Sequence, residues 1–258
     1  MRGKFQFHGN GGELFSILIL QFLLSILTFG IYIPWAIVKF TKYMSECTTL
    51  DGESFSFTGK GGEVFCLYFV QYLLTAITAG LYAPVASLKI CEYYVSKTAY
   101  KGQNFEFDST NACDFWILCF VQAILTGITF GLYSPWAYIK IRKNLLERTS
   151  YDGKKFDLTA SGGEYFSLCL GQMILTCITL GIYFPWAIAK ITNYIVNNVT
   201  YGESAKFSLD LNGGDLFSLI LIHGIILTAI TLGIYYCWYI VKMTEYQMSK
   251  MEIIDNSV

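Results

Sequence analysis

The 258 residues are 54% hydrophobic and 17% aromatic, with 14% charged and a net charge of -1. A chain this apolar departs from an ordinary soluble domain, and so small a net charge excludes a field that steers nucleic acid or acidic substrates. The apolar residues gather in five blocks. The first, from Leu14 to Phe40, holds Lys39 as its only charge. Blocks of this length read as membrane-spanning material. The eight cysteines form no C-x-x-C pair, and Cys66, Cys113, Cys119, Cys169 and Cys177 fall in or at the head of the apolar helices, as small hydrophobes. Neither a disulfide framework nor a metal site is expected.

The chain repeats itself. Thr28-Phe29-Gly30-Ile31-Tyr32-Ile33-Pro34-Trp35 returns as Thr78-Ala79-Gly80-Leu81-Tyr82-Ala83-Pro84, as Thr129-Phe130-Gly131-Leu132-Tyr133-Ser134-Pro135-Trp136, as Thr179-Leu180-Gly181-Ile182-Tyr183-Phe184-Pro185-Trp186, and as Thr231-Leu232-Gly233-Ile234-Tyr235-Tyr236-Cys237-Trp238. The threonines are spaced 50, 51, 50 and 52 residues apart. The repeats run approximately 1–50, 51–101, 102–151, 152–201 and 202–250 within one membrane domain, leaving 251–258 as a short tail. The basic start followed by an apolar run imitates a signal peptide, but its recurrence makes it the first repeat.

Each repeat opens on a very short alternating strand: Phe5-Gln6-Phe7, Phe55-Ser56-Phe57, Phe105-Glu106-Phe107, Phe156-Asp157-Leu158 and Phe207-Ser208-Leu209. Two glycines and an acid follow, as in Gly11-Gly12-Glu13, with Ala112-Cys113-Asp114 in the third repeat. The carboxylate suits the first turn of a helix, where it meets free N–H groups and the positive dipole end. Gly59-Lys60-Gly61-Gly62 lacks the spacing of a phosphate-cradling loop.

Helix one comes next, from Glu13 to Phe29 in the first repeat. Its polar residues recur at i, i+4 and i+7: Gln21, Ser25 and Thr28; Gln71, Thr75 and Thr78; Gln122, Thr126 and Thr129; Gln172, Thr176 and Thr179. That spacing makes one stripe. In the fifth repeat one extra residue separates acid from threonine, so His223 matches the glutamines while Thr228 and Thr231 keep register with the turn. Interhelical packing is the first reading of the stripe and a wetted path the second. The Thr-x-Gly-x-Tyr-x-Pro-Trp stretch then turns the chain, with glycine at the left-handed C′ position and proline starting helix two.

Helix two carries a lysine at one place, Lys39, Lys89, Lys140, Lys190 or Lys242, and four residues on a tyrosine, or Asn144 in the third repeat. These lysines read as snorkelling stems, with an anion path or acidic headgroup contact as the alternative. The expected fold class is an all-α integral membrane protein of five tandem helical-hairpin repeats with very short β segments between them, a geometry that permits closure into a pseudo-fivefold ring. Ten crossings put the strands, the charges and both termini on the cytoplasmic side. One crossing plus an interfacial helix is the other option, and hairpins that enter and leave on one side would relieve the depth of the lysines.

Gly163-Glu164-Tyr165-Phe166 and Thr179-Leu180-Gly181-Ile182-Tyr183-Phe184-Pro185-Trp186-Ala187 resemble the bacterial YjgN-like inner-membrane proteins, a family of unknown function, along nearly the full length. Here helix two keeps only one or two lysines in most copies where the family is strongly basic, and proline precedes the tryptophan. The resemblance implies a multi-pass protein of the bacterial inner membrane and supplies no activity. The leading functional expectation is a pore or transporter for a small polar solute or ion. The alternative is a non-transporting scaffold or lipid- or partner-binding protein. No catalytic constellation is present in the sequence, so no enzyme, cofactor or metal is expected, and membrane lipids are the expected partners, with no nucleic acid.

Overall fold

A computed structural model of the chain describes residues 2–255. In chain order the elements are β1 (Arg2–Phe7), α1 (Gly11–Leu27), α2 (Ile33–Cys47), β2 (Thr48–Leu50), β3 (Glu53–Phe57), α3 (Gly61–Ile77), α4 (Ala83–Ser96), β4 (Thr98–Tyr100), β5 (Gln103–Asn104) and β6 (Glu106–Phe107). There follow α5 (Ala112–Ile128), α6 (Ser134–Glu147), β7 (Thr149–Tyr151), β8 (Lys154–Leu158), α7 (Gly162–Ile178), α8 (Phe184–Asn197), β9 (Val199–Tyr201) and β10 (Ala205–Leu209). The last elements are α9 (Gly213–Ile230), α10 (Tyr236–Ser249) and β11 (Met251–Asp255).

Local chemistry sets the ends of these helices. The Asn10 side chain accepts the Gly12 N–H at 2.7 Å and Asn212 accepts that of Gly214 at the same distance, while Glu13, Glu63, Asp114, Glu164 and Asp215 fill the first turns. Proline opens α2, α4, α6 and α8. Asp51-Gly52 and Asp152-Gly153 both have two consecutive positive φ angles, the geometry of tight turns that match strand twist. They pair β2 with β3 and β7 with β8, with Leu50 opposite Glu53 and Tyr151 opposite Lys154.

The strands overturn the all-α expectation. They follow one hydrogen-bonded order, β5-β4-β3-β2-β1-β11-β10-β9-β8-β7-β6. The paired registers are antiparallel, and Arg2 stands opposite Ile254, so strands from both ends of the sequence are joined. The residues expected as a tail are β11 up to Asp255; residues 256–258 lie outside the described residues. Repeats are therefore bound by a sheet, and a ring of helical hairpins alone does not describe them. Four of the strands missed by periodicity, β2, β4, β7 and β9, are three residues long and follow helix two directly, too short to show a period of two.

The ten full crossings are also overturned. Among the described residues only Gly213–Ile230 is long and apolar enough to cross a membrane by length and composition. The other first helices have 17 residues, about 25 Å, against a hydrocarbon thickness of about 30 Å, and the second helices have 14 or 15.

The chain divides into two compact units. In the unit of residues 5–107 and 221–249, one core joins Phe7, Leu14 and Tyr43 to Cys237 and Val241, and another joins Val38 to Phe57 and Val64. In the unit of residues 2–4, 108–220 and 250–255, Ile139 packs with Leu158 and Tyr165. The rule is the same in each. A strand and the first turn of helix one are covered by helix two of the neighbouring repeat. Leu14, Val64 and Leu158 are fully buried, and a side chain of this kind contributes about 1.5–3 kcal/mol.

At the same junctions an indole lies on a glycine: Trp238 on Gly11, Trp35 on Gly61, Trp136 on Gly162 and Trp186 on Gly213. A Cβ at any of these glycines would fall inside the indole. The one first helix that begins with Ala112 follows the one repeat that has Val85 in place of tryptophan. Gly61→Ala should therefore lower stability in detergent by about 1–3 kcal/mol through overpacking. In a Trp35→Val background the same change should cost nothing measurable, and simply additive losses in the double-mutant cycle would remove the indole as the reason for the glycine.

Candidate functional site

The turn between the two helices is the most regular structure in the chain. In the first repeat the Gly30 N–H donates to the Ser25 carbonyl at 2.7 Å, reaching five residues back, and the Thr28 N–H donates to Leu24 at 3.0 Å. This is a Schellman-type closure, with the expected left-handed position moved by one residue. Phe29, Ala79, Phe130, Leu180 and Leu232 take φ of 50–51°, and the glycine after each takes 88–92°. A side chain in that region costs about 1–2 kcal/mol. Four of these residues are large and apolar, and Phe29, Phe130, Leu180 and Leu232 are 93–98% exposed. Their neighbours extend the surface: Leu27 and Ile31, Ile128 and Leu132, Ile178 and Ile182, and Ile230 and Ile234 are exposed too.

In the first repeat the polar stripe faces helix two of its own hairpin. An open groove of about 620 Å³ between α1 and α2 is lined by Gln21 and Ser25 together with Leu18, Phe22, Ile33 and Ala36. Most stripe hydroxyls are visibly spent within their own hairpin. Ser25, Thr75 and Thr176 donate to the carbonyls of Gln21, Gln71 and Gln172 at 2.7 Å, and Thr28, Thr78, Thr129 and Thr179 donate four residues back at 2.8 Å. The second set also accepts the N–H of the turn tyrosine at 3.0–3.1 Å. The glutamines differ. The side-chain oxygens of Gln21, Gln71, Gln122 and Gln172 are buried with no hydrogen-bond partner among the described residues. Thr126 stands half-buried in line with them.

The fifth repeat absorbs its extra residue as a π-helix, Leu219–Leu227. Thr228 accordingly donates to the His223 carbonyl five residues back, while Thr231 returns to the usual bond with Leu227 and accepts from Tyr235. The His223 ring nitrogen pairs with the Tyr235 hydroxyl at 2.9 Å, and the two rings stack.

The five lysines do not share one environment. Lys140 and Lys190 donate to the hydroxyls of Tyr133 and Tyr183 at 3.0 Å, with the amine 5.7 Å from each ring centre. Lys89 pairs with Glu92 at 2.9 Å, and Lys39 and Lys242 are exposed. The residue four positions after the lysine has a role that the sequence pattern left open: it fastens the loop before helix one. The Tyr43 hydroxyl accepts from the Asn10 N–H at 2.6 Å and donates to its carbonyl at 2.9 Å. Tyr93 holds Lys60 and donates to Glu63 at 2.9 Å, and Tyr194 does the same at Ser161 and Glu164. Where Asn144 replaces the tyrosine, Arg148 bonds Asn144 and the carbonyls of Asp108 and Thr110. Burial pushes the Tyr43 and Tyr93 hydroxyls up to about 12. The Tyr93 hydroxyl, then Lys97 3.6 Å away, hold the Glu63 carboxyl below its ordinary value. Among the described residues no cluster of His, Cys, Asp and Glu could hold a metal ion.

Fold and site together define a class: a protein of helix–turn–helix pairs joined through short antiparallel strands, with apolar side chains displayed at the turns. The chain belongs to the family described as bacterial protein of unknown function (DUF898), which matches over residues 2–65, 53–113, 109–164, 156–195 and 188–258. It is similar to the inner membrane protein YjgN of Escherichia coli strain K12, 40% identical over 52 residues, which are 20% of this chain and 13% of that protein. The corresponding protein of Salmonella typhimurium strain LT2 is 45% identical over 49 residues, 19% of this chain and 12% of its own length. The matches thus span about an eighth of the curated relatives, one repeat's worth. No solved structure matches significantly.

The clamp gives a test. Tyr93→Phe strips the Lys60 N–H of its partner and should cost about 1 kcal/mol. Because the fold lowers the Glu63 pKa, this carboxylate adds stability above its unfolded pKa and loses it as pH falls through the folded value. Melting followed from neutral pH into the carboxylate range should show a smaller acid-side loss in Tyr93→Phe than in the parent. Parallel curves would mean that the hydroxyl does not hold the carboxylate.

Proposed function

We propose that this chain is a membrane-resident, non-transporting scaffold of the bacterial inner membrane that binds lipid through the turns of its helical hairpins. One observation carries the reading: four turns place a bulky apolar side chain in a left-handed conformation and leave it 93–98% exposed. The backbone conformation costs steric strain in any medium and water penalises the exposure, and an apolar patch built this way marks an interaction surface. Hydrocarbon removes the exposure penalty. The names of the curated relatives support the inner membrane as its place.

Phe29→Asp, Phe130→Asp, Leu180→Asp and Leu232→Asp, made together, test it. Aspartate tolerates the left-handed region better than the native residues, so the fold in detergent should persist by circular dichroism. Each lost side chain forfeits about 2–3 kcal/mol of burial, so flotation with phosphatidylethanolamine–phosphatidylglycerol vesicles should fall by orders of magnitude. Unchanged flotation of a folded variant would end the proposal.

A second reading, a pore or transporter for a small polar solute, draws on the four unpartnered glutamine oxygens, which leave acceptors open at one level of the stripe. Replacing Gln21, Gln71, Gln122 and Gln172 by Leu separates the readings. The scaffold reading expects equal or greater stability, since an unpaired buried acceptor is removed, and no solute flux in proteoliposomes from parent or variant. Flux in the parent that disappears in the variant would favour the pore.

A further inference from the structure

We infer that each hairpin enters and leaves the bilayer through the same leaflet and stops near its middle; this rests on the lipid contact proposed above and assigns its depth. The exposed face of α1 changes character once. Glu13 and Ser16 are exposed near its start, then Ile19, Leu20, Leu23, Ile26 and Leu27. In α7 exposed Glu164 and Ser167 give way to Leu170, Ile174 and Ile178, and in α9 Asp215 and Ser218 give way to Leu221, Ile225 and Ile230. From Ile19 to Thr28 the arm measures about 14 Å at the helical rise per residue. On the returning arm the last exposed apolar residues, Ile33 and Tyr236, precede the exposed Lys39 and Lys242 by six residues, about 9 Å. Half of a hydrocarbon core of about 30 Å is about 15 Å, which matches the apolar band on the outgoing arm, while on the shorter returning arm the lysine stem spans the remaining distance to the headgroups.

The turn itself meets the condition that hydrocarbon imposes, that every backbone donor be satisfied from within. From Thr28 to Ile33 each N–H has a partner in its own hairpin: five donate to the carbonyls of Leu24, Ile26, Ser25, Thr28 and Gly30, and the sixth, of Tyr32, donates to the Thr28 hydroxyl. The other four turns repeat the set, each with its threonine as the sixth acceptor. A turn in water has no need of this. A hairpin that crossed fully would bring Phe29 out into water and set Lys39 inside the hydrocarbon.

Full-length chains with the native cysteines replaced by Ala and either Phe29→Cys or Leu180→Cys, reconstituted in sealed vesicles, test the depth. A bimane on either cysteine should be quenched several-fold more by lipids brominated near the chain end than near the headgroup, and an impermeant maleimide should reach the cysteine from neither side. Reaction from the side opposite Glu13 would mean full crossing and overturn the inference while leaving lipid contact intact. Reaction from the Glu13 side without quenching would overturn both. On the unmodified chain, an impermeant amine reagent should modify Lys39 and Lys242 at the surface, whereas leaving both unmodified in the folded, vesicle-bound protein would count as crossing.

Discussion

The contact between an indole and the glycine that opens the next first helix governs how this chain is assembled. Trp238 on Gly11, Trp35 on Gly61, Trp136 on Gly162 and Trp186 on Gly213 bring helix two against the following helix one at a distance that no side chain on the glycine would allow. Once that approach is made, Leu14, Val64 and Leu216 lose all exposure, and the strand ahead of the helix is sealed through Phe7, Phe57 or Leu209. Neither helix of a repeat could bury these residues by itself, since the cover is supplied by a neighbour. The fifth repeat shows how strictly the register is kept. Its extra residue is taken up as a π-helix, so that Thr231, Tyr235 and Trp238 still arrive in place.

Away from these junctions the hairpins are held by their own polar groups. The tyrosine late in helix two, or Arg148 in the third repeat, fastens the loop before helix one, and the threonine at the far end closes the turn. In the first four repeats the hairpin is thereby pinned at both ends, while large apolar side chains stand exposed around its turn. The lysines take three arrangements. Lys140 and Lys190 fold back over the turn tyrosines, Lys89 pairs with Glu92, and Lys39 and Lys242 are exposed.

Much of this was legible in the residues. The recurrence of Thr-x-Gly-x-Tyr marks the repeat, the glycine–acid pair marks the start of helix one, and the Asp-Gly pairs mark tight turns. The i, i+4, i+7 stripe was legible as a pattern, but its chemistry was not. The same spacing that lines a path also lets a hydroxyl bond the carbonyl four residues back, and the hydroxyls with assigned bonds take the second course. The turn glycine has the expected positive φ, but the residue before it is left-handed as well and holds the C′ place, because the closing bond spans five residues instead of four.

The sequence by itself determined the repeat, the helix ends, the turn and the apolar character of the blocks, since each depends on residues near one another in the chain. Only the tertiary structure decided that three-residue tails of helix two become strands, that Arg2 meets Ile254, and that each tryptophan seeks a glycine in the next repeat. Those outcomes come from pairing and close packing between distant segments. A strand of three residues has no period of its own, and a glycine reads as a helix cap until the indole that lies on it is in view.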